Sequence, residues 1–276
     1  MKKIIAQFYV DQTVSILLLF TLFFAGCREE DFSPNLTREF TLQSTSNGAS
    51  YNIKVALPAD YDPIGKTYGT IYVLDGDENF DFVANHCREL SNAHAVSNVL
   101  VVSIGYGNDR NLDYTPTETS SMTGGAPQFL EFIRDQLIPT IEQTYSADRT
   151  RNGRAILGHS YGGLFGAYAF TSDNKVFGNY LSLSPSIWYD NEVVLKFEKD
   201  SRINNKDGEQ LVFMGIGQME NSGSMQAPFE ALYQTLLKNY PSIRLAKNQE
   251  KDLGHMGSKF PNTILGLTYY FEHRSL

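Results

Sequence analysis

Residues 155–164 read Ala155-Ile156-Leu157-Gly158-His159-Ser160-Tyr161-Gly162-Gly163-Leu164. Ala155–Leu157, with Arg154 before it, forms a short apolar strand, and Leu164–Phe170 has helical character. Between them lies Gly-x-Ser-x-Gly. A chain that turns this sharply from strand to helix forces strained dihedrals on the serine, and glycines two before and two after keep side chains from colliding. The turn lifts the hydroxyl above the sheet edge and aims the N-terminus of the next helix at it. The bland alternative is a glycine-rich turn without chemistry. The strand-turn-helix context favours a nucleophile at Ser160.

Working outward, Phe40–Ser44 and Tyr51–Leu57 alternate apolar and polar residues around Ser46-Asn47-Gly48, a hairpin pattern. Tyr68–Leu74 is an apolar strand closed by Asp75-Gly76. Phe80–Val96 has helical spacing. Val99–Ile104 is a continuous apolar run of the kind buried on both faces of a parallel sheet. Residues 105–127 predict a long polar loop. Phe129–Tyr145 predicts an amphipathic helix bent or interrupted near Pro139. Beyond the elbow come strands at Tyr180–Ser184, Gln210–Ile216 and Ile243–Asn248. They alternate with helices at Glu192–Ser201, Ala227–Lys238 and Asn262–Phe271. After the opening hairpin this alternation predicts an α/β fold: a mostly parallel twisted sheet with helices on both faces.

A serine hydroxyl needs an adjacent base. Of five histidines, His86 and His94 precede Ser160, the wrong chain order for this elbow. His159 adjoins Ser160 on a turn where neighbours point apart. His273 lies in the C-terminal tail. His255 remains, between a strand and the last helix. The acid that orients it should follow the penultimate strand. Glu220, after Gln210–Ile216, fits; Asp190, one strand earlier, competes. An oxyanion hole is expected from the backbone N–H of Tyr161 and from the turn after Leu74, with Gly76 and Asp77 as donors. No His-Glu-x-x-His run or Cys/His cluster suggests a metal, and no cofactor is expected.

The N-terminus reads differently. Lys2 and Lys3 precede an uncharged stretch whose Val14–Phe24 core is too short for a transmembrane helix. It fits an export signal over residues 1–26. Phe24-Ala25-Gly26-Cys27 resembles a bacterial lipobox, with Phe24 where leucine is usual, so Cys27 is the expected lipidation site. A plain signal peptide with an incidental cysteine is the alternative. Glu29, Glu30 and Asp31 resemble a surface-export signal. Residues 27–37 read as a polar tether and 38–276 as one domain. Lipid on Cys27 leaves Cys87 alone, so no internal disulfide is possible in the mature chain; Cys87 reads as a small buried hydrophobe. The chain carries a net charge of −8. An acidic, exported protein is a poor nucleic-acid binder.

With these residues in hand, the sequence resembles the putative-esterase family of the α/β-hydrolase superfamily, which includes esterase D, feruloyl esterases and enterobactin-type siderophore esterases. The resemblance runs from about Phe40 to the C-terminus. It rests on Tyr72-Val73-Leu74-Asp75-Gly76-Asp77, the Gly105–Pro116 loop, the elbow, Ser184-Pro185-Ser186-Ile187-Trp188 and Gly254-His255. Ile104-Gly105-Tyr106, Arg110 and Asp113-Tyr114-Thr115-Pro116 are most similar to the siderophore-esterase branch. That resemblance implies a substrate contact for Arg110, with a loop salt bridge as the alternative. Trp188 either lines the cleft or packs beneath it.

The expectation is a serine carboxylic-ester hydrolase acting on a small-molecule or carbohydrate ester, a siderophore-like lactone or a polysaccharide-linked ester. A lipid anchor would hold it to a bacterial membrane. A non-catalytic surface lipoprotein that binds sugars or siderophores, and an acyltransferase on the same fold, stand as alternatives.

Overall fold

The computed structural model describes residues 36–94, 99–205 and 208–274. The expected signal segment, Cys27, residues 27–35 of the tether and the end of the Phe80–Val96 helix lie outside the described residues.

Alternating side chains build Thr37–Gln43 (β1) and Ser50–Ala56 (β2) into the opening antiparallel hairpin. The first strand begins at Thr37, inside the expected tether. Apolar runs form Thr70–Val73 (β3), Leu100–Ile104 (β4), Arg154–His159 (β5), Asn179–Leu183 (β6) and Leu211–Gly217 (β7). All are buried along essentially their whole length, as strands covered on both faces must be. Arg244–Glu250 (β8) is polar and half exposed because it forms the sheet's edge. The order is β1-β2-β4-β3-β5-β6-β7-β8. β2 pairs antiparallel with both neighbours and the later strands are parallel.

Helices cover both faces. Gly76–His94 (α1) packs against the closing helix Lys259–His273, and buried Cys87 lies in α1. The polar loop over 105–127 is not structureless. It contains a short helix Arg110–Tyr114 (α2), started by the Asp109 carboxylate accepting from the Asn111 N–H at 2.7 Å. Ala126–Phe132 (α3) and Ile138–Thr144 (α4) are the expected bent helix, joined by one wide turn at Ile133–Leu137. In that turn the Ile138 N–H reaches the Ile133 carbonyl, five residues back. Pro139 has no N–H to continue the ordinary ladder, and the widened turn absorbs the break.

Tyr161–Asp173 (α5) is buried nearly all round. Tyr189–Asn205 (α6) starts irregularly, with Asp190, Asn191 and Glu192 at φ 44°, 54° and 61°. Ala227–Asn239 (α7) and Lys259–His273 (α8) complete the set. Asp75-Gly76, Ser160, Ser184–Ser186, Glu220 and His255 all follow the C-terminal ends of strands, where open α/β sheets bind ligands.

Candidate active site

Ser160 joins β5 to α5 at φ 61° and ψ −117°. A non-glycine residue in this region costs on the order of 1–3 kcal/mol, so the surroundings must impose it. Its N–H donates to the Leu183 carbonyl at 2.9 Å, and its own carbonyl accepts from Leu164 at 2.9 Å. A Cβ at Gly158 would lie 2.5 Å from the Gly162 carbonyl, and one at Gly163 would lie 3.0 Å from the Leu183 oxygen. Gly158 and Gly163 are therefore what let the helix fold back over the strand, whereas a Cβ at Gly162 would meet only ordinary contacts at 3.5 Å.

Three side chains from three strand ends meet here. His255 Nε2 is 3.0 Å from Ser160 Oγ, and His255 Nδ1 is 2.8 Å from Glu220 Oε2. A carboxylate only accepts, so the hydrogen sits on Nδ1 and the Nε2 lone pair faces the serine hydroxyl. The other carboxylate oxygen, Oε1, accepts from Ser184 Oγ at 2.6 Å, from the Gly217 N–H at 2.8 Å and from Ser258 Oγ at 3.3 Å. Burial works to raise the Glu220 pKa. The hydrogen bonds from His255, Ser184 and Gly217 outweigh it and hold the carboxyl below its ordinary range. Asp190 stands elsewhere, its carboxylate accepting from Thr117 Oγ1 at 2.6 Å. It fastens the polar loop and does not touch His255.

Tyr161 opens α5, so its N–H precedes the first intrahelical bond and is free to point at a reacting oxygen. Gly76 and Asp77 open α1 after a left-handed Asp75 (φ 51°). This turn lies against the elbow: a Cβ at Gly162 would be 3.5 Å from Leu74 Cβ and from an Asp75 carboxylate oxygen. The Asp77 carboxylate accepts from the Tyr106 N–H at 3.0 Å.

Arg110 makes the loop salt bridge. Its Nε and Nη2 donate to the two Asp75 oxygens at 2.8 and 2.9 Å. The guanidinium sits 5.4 Å from the Tyr114 ring centre and 5.9 Å from that of Tyr161, which places it beside the elbow with its side chain 31% exposed. Trp188 is 40% exposed, and its ring centre lies 6.2 Å from that of Tyr161. Ser186 Oγ lies 3.5 Å from Ser160 Oγ.

A family model described as "Putative esterase" matches residues 44–252. The chain belongs to this putative esterase family. Within it, the chain is 28% identical over 220 residues to the ferri-bacillibactin esterase BesA of Bacillus subtilis, covering 71% of this chain and 75% of that protein. It is 29% identical over 170 residues to the siderophore enterobactin esterase of Emericella nidulans, covering 52% of this chain and 56% of that protein. The match thus spans little more than half the length of the fungal relative. The crystal structure of the BES protein from Bacillus cereus superposes with a TM-score of 0.76 at 29% identity, covering 85% of this chain and 94% of that one. The fold is that of the α/β-hydrolase superfamily.

Four residues of the site take roles that the strand-turn-helix reading does not assign to them. His159, set aside as a base, turns its ring to the loop of His255. Ser184 and Ser258 serve Glu220, and Asp75 anchors Arg110. Ser184 lies in the Ser-Pro-Ser segment that supported the family resemblance, and that was its only mark.

Proposed function

We propose that this chain is a serine carboxylic-ester hydrolase that works through an acyl-enzyme on siderophore-type esters. The reading is carried by one observation: His255 Nε2 lies 3.0 Å from Ser160 Oγ while its Nδ1 lies 2.8 Å from Glu220. Ser160 Oγ attacks the ester carbonyl and its proton passes to His255 Nε2. Tyr161 and the Gly76–Asp77 turn offer N–H groups to the carbonyl oxygen as it gains charge. The same proton leaves with the alcohol. Water then attacks the acyl-enzyme, giving a proton to His255, and Ser160 recovers it as the acid departs. Glu220 holds the imidazole in the required tautomer and stabilises the imidazolium.

The substrate class is supported by the names of the relatives, which act on enterobactin and ferri-bacillibactin. Arg110 and Trp188, whose side chains lie 5.9 and 6.2 Å from the Tyr161 ring centre, are the candidate contacts. Parallel assays with a catecholate trilactone and a feruloyl sugar separate the siderophore from the polysaccharide reading. Labelling of the soluble chain by a fluorophosphonate at Ser160, lost in His255→Ala, tests the nucleophile. Failure of a folded sample to label sinks it.

The N-terminal sequence supports export and anchoring through lipid on Cys27. Globomycin should leave an unprocessed precursor, and normal processing under the drug removes that part of the proposal.

A further inference from the structure

His159 is 5% exposed, yet it does not face Ser160. Its ring lies 4.7 Å from that of His255, centre to centre, and its Nε2 is 3.0 Å from the His255 main-chain oxygen. A carbonyl only accepts, so Nε2 carries the hydrogen. The ring stays neutral over the working range, because burial first and the neighbouring His255 second push its pKa down to about 4.

The loop that bears His255 is tied on either side of it, by the Met219 N–H to the Leu253 carbonyl at 2.9 Å and by the Ser258 N–H to the Gly254 carbonyl at 3.0 Å. Between these ties the side-chain faces of Gly254 and Gly257 are open: a Cβ at Gly254 would meet nothing within 4 Å, and one at Gly257 nothing nearer than 3.5 Å. The other donor to the His255 carbonyl is Ser258 Oγ, at 3.4 Å. That hydroxyl has one hydrogen, and Glu220 Oε1 at 3.3 Å and Ser184 Oγ at 3.2 Å compete for it. His159 is the dedicated donor. Its own carbonyl lies 3.5 Å from Arg110 Nη2, and Arg110 is held by Asp75, so the donor's backbone is anchored in turn.

We infer that His159 is a positioning residue for the base: its Nε2–H fixes the His255 main chain where the His255 ring meets the Ser160 hydroxyl. The inference rests on the roles proposed above for Ser160 and His255. It explains why a bulky, costly imidazole sits inside the elbow, where any residue would satisfy the motif.

The test compares His159→Gln, which keeps an N–H at similar reach, with His159→Phe and His159→Leu, which fill space without a donor. Turnover of an ester, the rate of fluorophosphonate labelling and thermal unfolding are read for each. The expected result is a folded apolar variant with kcat and labelling rate down roughly tenfold or more, KM little changed, and His159→Gln within about threefold of the parent; displacement of a catalytic group by 1 Å can cost ~10²-fold. A folded apolar variant with kcat within about twofold of the parent overturns the inference, as does a folded His159→Gln as impaired as the apolar variants. If neither apolar variant folds, the role is purely structural and the inference falls. Ser160→Ala and His255→Ala run alongside: activity retained in those two removes the proposed mechanism, a result distinct from any failure at His159.

Discussion

Ser184 donates its hydroxyl to Glu220 Oε1 at 2.6 Å from a backbone held at φ 42°. The residue after β6 thus takes a conformation that L side chains avoid, and in it the hydroxyl reaches a carboxylate 36 positions away. Removing the hydroxyl leaves a fully buried carboxylate short of a donor, at a cost of about 1–3 kcal/mol. Ser184→Gly removes the hydroxyl while relieving the strain of the positive φ, so the loss it shows is a lower bound on the hydroxyl's share. We expect Ser184→Gly to lower the denaturant midpoint and to reduce kcat. Chemical denaturation and steady-state kinetics check both, and a midpoint and kcat both unchanged would show that Gly217 and Ser258 suffice.

Glu220 and Asp190 were both candidates for the acid, and only Glu220 touches His255. Glu220→Gln keeps the shape but offers an amide that can donate, which allows the wrong imidazole tautomer. By analogy with other triads we expect kcat to fall by roughly 10²–10⁴-fold. Asp190→Asn should leave kcat within about threefold, since it only ties Thr117. Equal losses in the two variants would reject the assignment.

These two carboxylates show where legibility in the sequence ends. Chain order placed Ser160, Glu220 and His255 after the fifth, seventh and eighth strands, and periodicity gave the parallel sheet, because both follow from local pattern. His159 and Ser184 act across 96 and 36 residues through single hydrogen bonds. No composition or spacing encodes such a bond until the strands are in register. Arg110 was visible through its loop, but its partner Asp75 was read only as part of a turn. The helix Arg110–Tyr114 was missed because five residues are too few for a periodic signal, and its start depends on the side chain of Asp109.

Acid should destabilise the fold in two stages. An unfolded histidine titrates at ~6.5, whereas burial first and the neighbouring His255 second push His159 down to about 4. Between those values the unfolded state binds more protons, so stability falls as pH falls, by about 3 kcal/mol across the window from this group alone. Glu220, Lys259 and His255 are the charged or titratable groups that act on its ring. Glu220 has a depressed pKa, so its contribution is present above the ordinary carboxylate range, near ~4.3, and is lost on further acidification. Thermal unfolding followed from pH 7 to 4 should show a steady decline that flattens in His159→Gln. A decline of the same slope in that variant would remove His159 as its source.

The two glycine environments around the triad should respond in opposite ways to alanine. At Gly158 the added Cβ would sit 2.5 Å from the Gly162 carbonyl carbon and oxygen. Both are backbone atoms of the turn that carries Ser160, so relief requires moving the helix away from the strand. Overpacking of this kind costs typically 1–3 kcal/mol, and the loss here should reach at least the upper end, about 3 kcal/mol, with fluorophosphonate labelling abolished. At Gly254 the Cβ would meet nothing within 4 Å, and the backbone is not in the left-handed region. Gly254→Ala should therefore leave stability unchanged or raise it by up to about 1 kcal/mol, because the unfolded chain loses freedom and the folded one gains no clash. Denaturation curves of the two variants measure the contrast. A Gly158→Ala protein as stable as the parent would mean that the elbow can open without its glycine, and the strain at Ser160 would then need another source.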